Sequence, residues 1–332
     1  MEPATPFAGR WLVRGSGTTA SLRGLHVVDA NVAWASGSGG TFLRTVDGRD
    51  NWDVGTIPGA EDRDFRDIHA SDRDHAMVLS AGLPAQIYRT DDGGQTWQQT
   101  YNNDEPGVFF NAVSFWDDER GIAVGDPIDG RFLIIRTGDG GRTWDEVPFE
   151  NRPVALEGEA NFAASGTCMT VHGKNSVWFG TGGPAARVFR SDDGGSSWTV
   201  AETPLRSGNS SQGVFSLFFL NENQGVAVGG DYLDEPNPMQ TAAVTTDGGT
   251  TWVAAESPPS GFRECVAAVS AATPRVLIAV GPSGTDLSED GGNTWRPIGE
   301  GRFHAVGFSA DGATGLAVGM DGLDGTWQFT IE

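Results

Sequence analysis

Apolar residues in this chain fall in short runs broken by Gly-, Asp- and Ser-rich stretches, and no long helical periodicity is visible. Several runs end in glycine, as in GIAVGD (Gly121–Asp126), GVAVGGD (Gly225–Asp231) and GLAVGMD (Gly315–Asp321). Each follows a first apolar strand and precedes a third. The third runs into a polar phrase: a hydroxyl residue, an Asp, one or two Gly, then a Trp that begins a fourth strand. That phrase occurs six times, as Thr45–Trp52, Thr90–Trp97, Thr137–Trp144, Ser191–Trp198, Thr245–Trp252 and Ser288–Trp295. Successive tryptophans lie 45, 47, 54, 54 and 43 positions apart. Four short strands recurring at that interval predict propeller blades.

The phrase suits a tight hairpin. Glycine at its centre reaches positive φ without a Cβ clash. The aspartates (Asp47, Asp92, Asp139, Asp193, Asp247 and Asp290) can accept hydrogen bonds from their own turns, and the tryptophans supply large plates to pack between sheets. These aspartates are read as scaffold. The first copy has Arg49 where the others have Gly and Asn51 where most have Thr or Ser, so a looser turn is expected there.

Blades are expected at about 22–56, 63–101, 107–148, 158–202, 212–255 and 261–298, with a seventh from Arg302. The seventh has strands at Phe303–Phe308, Gly315–Gly319 and Thr326–Ile331, and then the sequence stops. Its missing outer strand can come from Arg10–Val13, which carries Trp11 (blade residues 7–14 with 302–332). The expectation is an all-β, seven-bladed β-propeller of four-stranded blades. It forms one domain over 1–332, closed by the N-terminal strand so that no sheet edge stays open. Six blades is the alternative. Two connections are long, Glu150–Ala160 and Leu205–Gln212.

The formal charge of −22 and pI near 4.4 argue against a broad basic surface for nucleic acid or anionic lipid. Lys174 is the only lysine. Cys168 and Cys265 fall in repeats that should not be neighbours and are read as two buried thiols. The first residues lack the basic and apolar regions of a signal peptide, which places the chain as given in the cytoplasm, or outside it if a leader has been removed. No apolar run reaches membrane-spanning length, and a monomer is expected.

Taken together, the six Asp phrases, Gly121–Phe132, Asn161–Cys168, Gly213–Phe219, Gly225–Tyr232 and Ile278–Gly284 resemble the Asp-box (bacterial neuraminidase repeat) propellers, most closely the photosystem II stability/assembly factor-like group. The resemblance covers essentially the whole chain. It implies a non-enzymatic factor that holds a protein or peptide partner through an arginine-bearing face.

In a propeller the first strands line the central channel. Their entry loops and the loops joining second to third strands share one face, and the Asp phrases occupy the other. Aligning the first strands brings Arg23, Arg66, Asn111, Arg263 and His304 to equivalent or nearly equivalent positions, with Asp67 and Glu264 directly after two of them. The second-to-third loops add Asp126, Asp129, Asp231, Tyr232 and Asp321. Arginines and carboxylates therefore converge on one concave face suited to a peptide, carboxylate or sugar. Water and mutual pairing between blades would also account for them.

The alternative is a carbohydrate-active enzyme on the same face. Arg23, Arg66 and Arg263 with Tyr232 and Asp126 approximate a sialidase set, but the Phe/Tyr-Arg-Ile-Pro phrase is absent. No GxSxG, Cys–His–Asn, phosphate-loop or dinucleotide fingerprint occurs. The five histidines show no ligand spacing, so neither a metal nor a cofactor is expected. The leading expectation is a non-catalytic binding or assembly scaffold.

Overall fold

A computed structural model describes residues 9–48, 50–270 and 276–329. They form seven antiparallel sheets, six of four strands and one of five, with the four blade strands in simple up-and-down order. Blade 1 comprises Leu22–Val27, Ala33–Gly37, Thr41–Thr45 and Asp53–Thr56, and blade 2 comprises Asp64–Ala70, Ala76–Ala81, Ala85–Thr90 and Gln98–Asn103. The first strands of blades 3, 4, 5 and 6 are Phe110–Phe115, Met169–His172, Asn209–Phe219 and Cys265–Ala268. Blade 7 comprises Phe303–Phe308, Gly315–Gly319 and Leu323–Phe329, with Gly9–Gly15 as its outer strand. The N-terminal strand thus closes the ring, with Trp11 opposite Trp327.

The core is divided among the gaps between blades. Seven buried apolar clusters each join two successive sheets; one unites Leu22, Ala35 and Leu43 of blade 1 with Ala305 and Val318 of blade 7. Each sheet is apolar on both faces, which is why the second strands read as unbroken runs rather than as alternation.

The Asp phrases form the turns between third and fourth strands. In blade 4, Asp193 Oδ1 accepts from Ser191 Oγ and from the Ser196 and Ser197 amides, and Oδ2 accepts from Ser197 Oγ at 2.6 Å. Burial alone would raise the Asp139 and Asp193 carboxyls, but these bonds hold both down to about 2. The first glycine of the turn in blades 1 to 5 donates its amide to the neighbouring loop of its own blade, as Gly194 does to Asn175 O. The second lies against the preceding blade.

Three details differ from the sequence reading. The third strand of blade 7 begins at Leu323, three residues early, because a turn at Asp321–Gly322 with positive φ at both residues reverses the chain sooner. Gly182–Gly183 adds a fifth strand to the blade 5 sheet, pairing with Asn209–Phe219 and tying down the Leu205–Gln212 connection. Blade 4 starts at Met169 rather than near 158, because the residues before it leave the sheet. The expected looser turn at Arg49, and the parts of blade 7 assigned to residues 7–8 and 330–332, lie outside the described residues. Cys168 and Cys265 are both buried free thiols. Among the described residues, no helix is long and apolar enough to cross a membrane.

Candidate functional site

The first strands open onto the channel through a shared irregularity. Pairing slips by one residue at Arg23, Arg66, Asn111, Phe215 and His304, in blades 1, 2, 3, 5 and 7. A bulge re-aims the extra residue, and all five side chains line one cavity of about 420 Å³ at the channel mouth. Glycines ending the second strands permit the close approach. A Cβ on Gly37 or Gly319 would lie 2.3 Å from the Ser21 or Arg302 carbonyl at the entry to the first strand.

Blade 6 shows what this register does to the sequence alignment. Gly281 abuts the Arg263 backbone just as Gly37 abuts Leu22 and Gly319 abuts Phe303. Arg263 is therefore the equivalent of Leu22, and Glu264 the equivalent of Arg23. The structure accordingly buries Arg263 completely, paired with Asp286, whose Oδ2 accepts from Nε at 2.7 Å, while Ser260 and Ser283 cap the remaining donors. It does not reach the cavity; Glu264 does.

Of the other expected residues, Asp126 and Tyr232 reach the cavity and Asp67 and Asp231 do not. Asp67 is buried beneath it and accepts from the Ile68 and Val113 amides. Burial raises its carboxyl to about 7 against those two bonds. Asp231 is held by Gln212 Nε2 and the Leu233 amide and lies 3.6 Å from Arg206. Asp129 and Asp321 are turn residues at φ 51° and 53° outside the cavity.

The cavity floor is made by chain that the sequence reading counted within the fourth blade. Residues 161–167 cross the channel before entering blade 4. Ala163 O accepts from Arg66 and Ala164 O from Arg23; Ser165 Oγ donates to Glu264 O, and Thr167 Oγ1 pairs with Ser216 Oγ. Gly166, at φ 74°, sits so close over Asp67 that a Cβ would lie 2.1 Å from Oδ1. Blades 1, 2, 5 and 6 thus all hold this segment.

Above the floor the walls differ. On one side Glu264 Oε2 lies 2.6 Å from His304 Nδ1 and 3.6 Å from Arg23, while Arg66 donates to Asp64 at 2.7 Å. Asn111 Nδ2 donates to Asp126 Oδ1, which also accepts from the Asn161 amide; burial still pushes the Asp126 carboxyl up. On the other side stand Phe109, Phe162, Phe215, Tyr232 and Phe262. Phe162 stacks on Phe215 at 3.9 Å, and Phe262 meets Phe215 edge-on at 4.6 Å. A search for polar candidates passes over this aromatic wall, although Phe215 occupies the same bulge position as Arg23. Among the described residues no cluster of His, Cys, Asp and Glu is arranged to hold a metal.

Residues 60–163, from the entry of blade 2 to the channel-crossing segment, match the family model described as photosynthesis system II assembly factor YCF48. Two solved structures of YCF48 share the whole architecture. One, YCF48 bound to D1 peptide, superposes with a TM-score of 0.68 at 17% identity, covering 99% of this chain and 100% of that one. The chain is a seven-bladed β-propeller similar in fold to photosystem II assembly factor YCF48. The second, YCF48 from Cyanidioschyzon merolae, gives 0.65 at 17% identity over 95% of this chain and 98% of that one. The GH74 xyloglucanase from Xanthomonas campestris gives 0.60 at 16% identity, with 95% of this chain matching 53% of that one. At such identities the solved structures establish the fold alone. No curated protein matches the chain.

Proposed function

We propose that the chain is a non-catalytic scaffold holding an extended segment of a protein partner in the channel-mouth cavity. The observation that carries this is the cavity itself: concave, floored by the channel-crossing segment, and lined by residues of blades 1, 2, 3, 5, 6 and 7. Supporting it, one structural match that spans essentially both chains is to a YCF48 with a D1 peptide bound. Arg66 is the partly exposed guanidinium at the rim, with donors left over for carbonyl or carboxylate groups of a partner.

The test is binding of the purified protein to a peptide array, with affinities measured by calorimetry. Arg66→Ala should weaken a binding peptide about tenfold, the worth of one charge-assisted hydrogen bond. Unchanged affinity would remove the cavity from the reading. The enzymatic alternative draws on Asp126, whose carboxyl burial raises toward a general acid. Turnover of aryl glycosides or polysaccharides that Asp126→Asn abolishes would replace the scaffold reading.

A further inference from the structure

We infer that the cavity is a receptacle for one large aromatic side chain of the partner segment, seated between Phe162 and Tyr232. This deepens the peptide-scaffold reading and rests on it for the source of the side chain. The charges on the polar wall already face one another, Arg23 with Glu264 and Arg66 with Asp64. An uncharged side chain leaves these pairs intact, while Glu235 and the spare Arg66 donors stay at the mouth for polar groups elsewhere on the segment.

The opposite wall calls for apolar surface. Phe162 is only partly buried against Phe215, and Tyr232 is 43% exposed. Met320, 39% exposed, lies at the same mouth, and Leu233 beside Tyr232 is 79% exposed. Large apolar residues this exposed in one concave place mark a surface that a partner covers. The Phe215 ring behind them is fixed by a stacked neighbour and an edge-on neighbour, a geometry that an incoming ring can continue.

Hydrogen bonding agrees. Asn111 Oδ1 and His304 Nε2 belong to cavity-lining residues, are buried, and have no partner among the described residues. With His304 Nδ1 donating to Glu264, Nε2 of the neutral ring is an acceptor. Two waiting acceptors suit the N–H groups that accompany a side chain on its backbone. At about 420 Å³ the space holds one such residue with its flanking amides rather than the face of a folded domain.

The chain has three tyrosines, so 3-fluorotyrosine labelling gives three ¹⁹F signals, with Tyr88 and Tyr101 as internal references for Tyr232. N-acetyl-tryptophanamide should shift the Tyr232 signal saturably and leave that of buried Tyr88 in place. N-acetyl-leucinamide should bind more weakly, and N-acetyl-glycinamide at least about tenfold more weakly, as loss of a buried side chain requires. Phe162→Ala should abolish the response and Phe162→Leu retain part of it, with melting curves confirming that both variants fold. No saturable shift, or equal shifts for the tryptophan and glycine amides, overturns the inference. A peptide array separates it from the broader reading. Aromatic-anchored peptides that lose binding in Phe162→Ala support both. Peptides that bind without aromatic preference overturn the receptacle and keep the scaffold. Amide binding with no peptide binding keeps the receptacle and overturns the scaffold.

Discussion

At the scale of single residues, burial decides what each charged group can do. Arg263 and Arg66 look alike in sequence, yet one is sealed between sheets and the other stands at a rim. Arg263→Ala would strand the Asp286 carboxylate, so it should unfold the protein by about 3–5 kcal/mol rather than probe binding. Asp67 carries the clearest pH signature. Its carboxyl is raised from 3.8 to about 7 in the folded ring, so between these values the native state holds a proton that the unfolded chain has lost. Stability from this group is complete below about pH 4 and declines as pH rises through 7, by at most about 4 kcal/mol. His26 has the opposite sign: burial lowers it to about 4, so its contribution is lost as pH falls from 6.5 toward 4. Urea midpoints taken between pH 6 and 8.5 isolate Asp67. Asp67→Asn should flatten the decline there while lowering the plateau, since an amide cannot accept from both Ile68 and Val113. A decline unaltered in the variant would assign it to another group.

At the scale of elements, the Asp-phrase turn explains why so much of the fold was legible. Each turn binds its own aspartate and hydroxyl, so the signal is local and survives translation into sequence. Its second glycine has a further reason to be glycine. Gly94 has φ 86°, and a Cβ there would lie 2.6 Å from the buried Phe42 ring of blade 1, whereas Gly194 has φ 69° and open space. Gly194→Ala should cost about 1–2 kcal/mol, the backbone strain alone. Gly94→Ala should cost clearly more, because Phe42 and Trp97 must separate. Equal losses in thermal melts would mean that packing against the preceding blade does not constrain the turn. The site was less legible because its determinants are not local. Bulges shift the register by one residue without a sequence mark, which put Arg263 where Glu264 belongs. The channel-crossing segment is held by side chains of blades 1, 2 and 5 and a carbonyl of blade 6, and nothing within Asn161–Thr167 itself reveals them.

At the scale of the whole molecule, seven apolar gaps must all be filled, and the last is filled only if the ends meet. Trp11 does much of this. Its ring lies 5.1 Å from Trp327 and 5.2 Å from Phe303, and its Nε1 reaches Thr285 of blade 6 at 3.2 Å. Ser16 then latches onto Gly322 through both its amide and its hydroxyl, and Trp52 of blade 1 donates to Asp324 of blade 7. Removing residues 1–15 should therefore do more than trim an end. It uncovers Trp327 and leaves Leu323–Phe329 as an open strand edge facing solvent. The loss should exceed about 3 kcal/mol, the cost of truncating one large aromatic in a packed site. The freed edge should also pair with another copy, giving concentration-dependent species by light scattering, and Trp11→Ala should reproduce the stability loss without the association. If the shortened chain melts with the full-length protein and stays monomeric, blade 7 is self-sufficient, and the ring is held by its inner strands rather than by its closure.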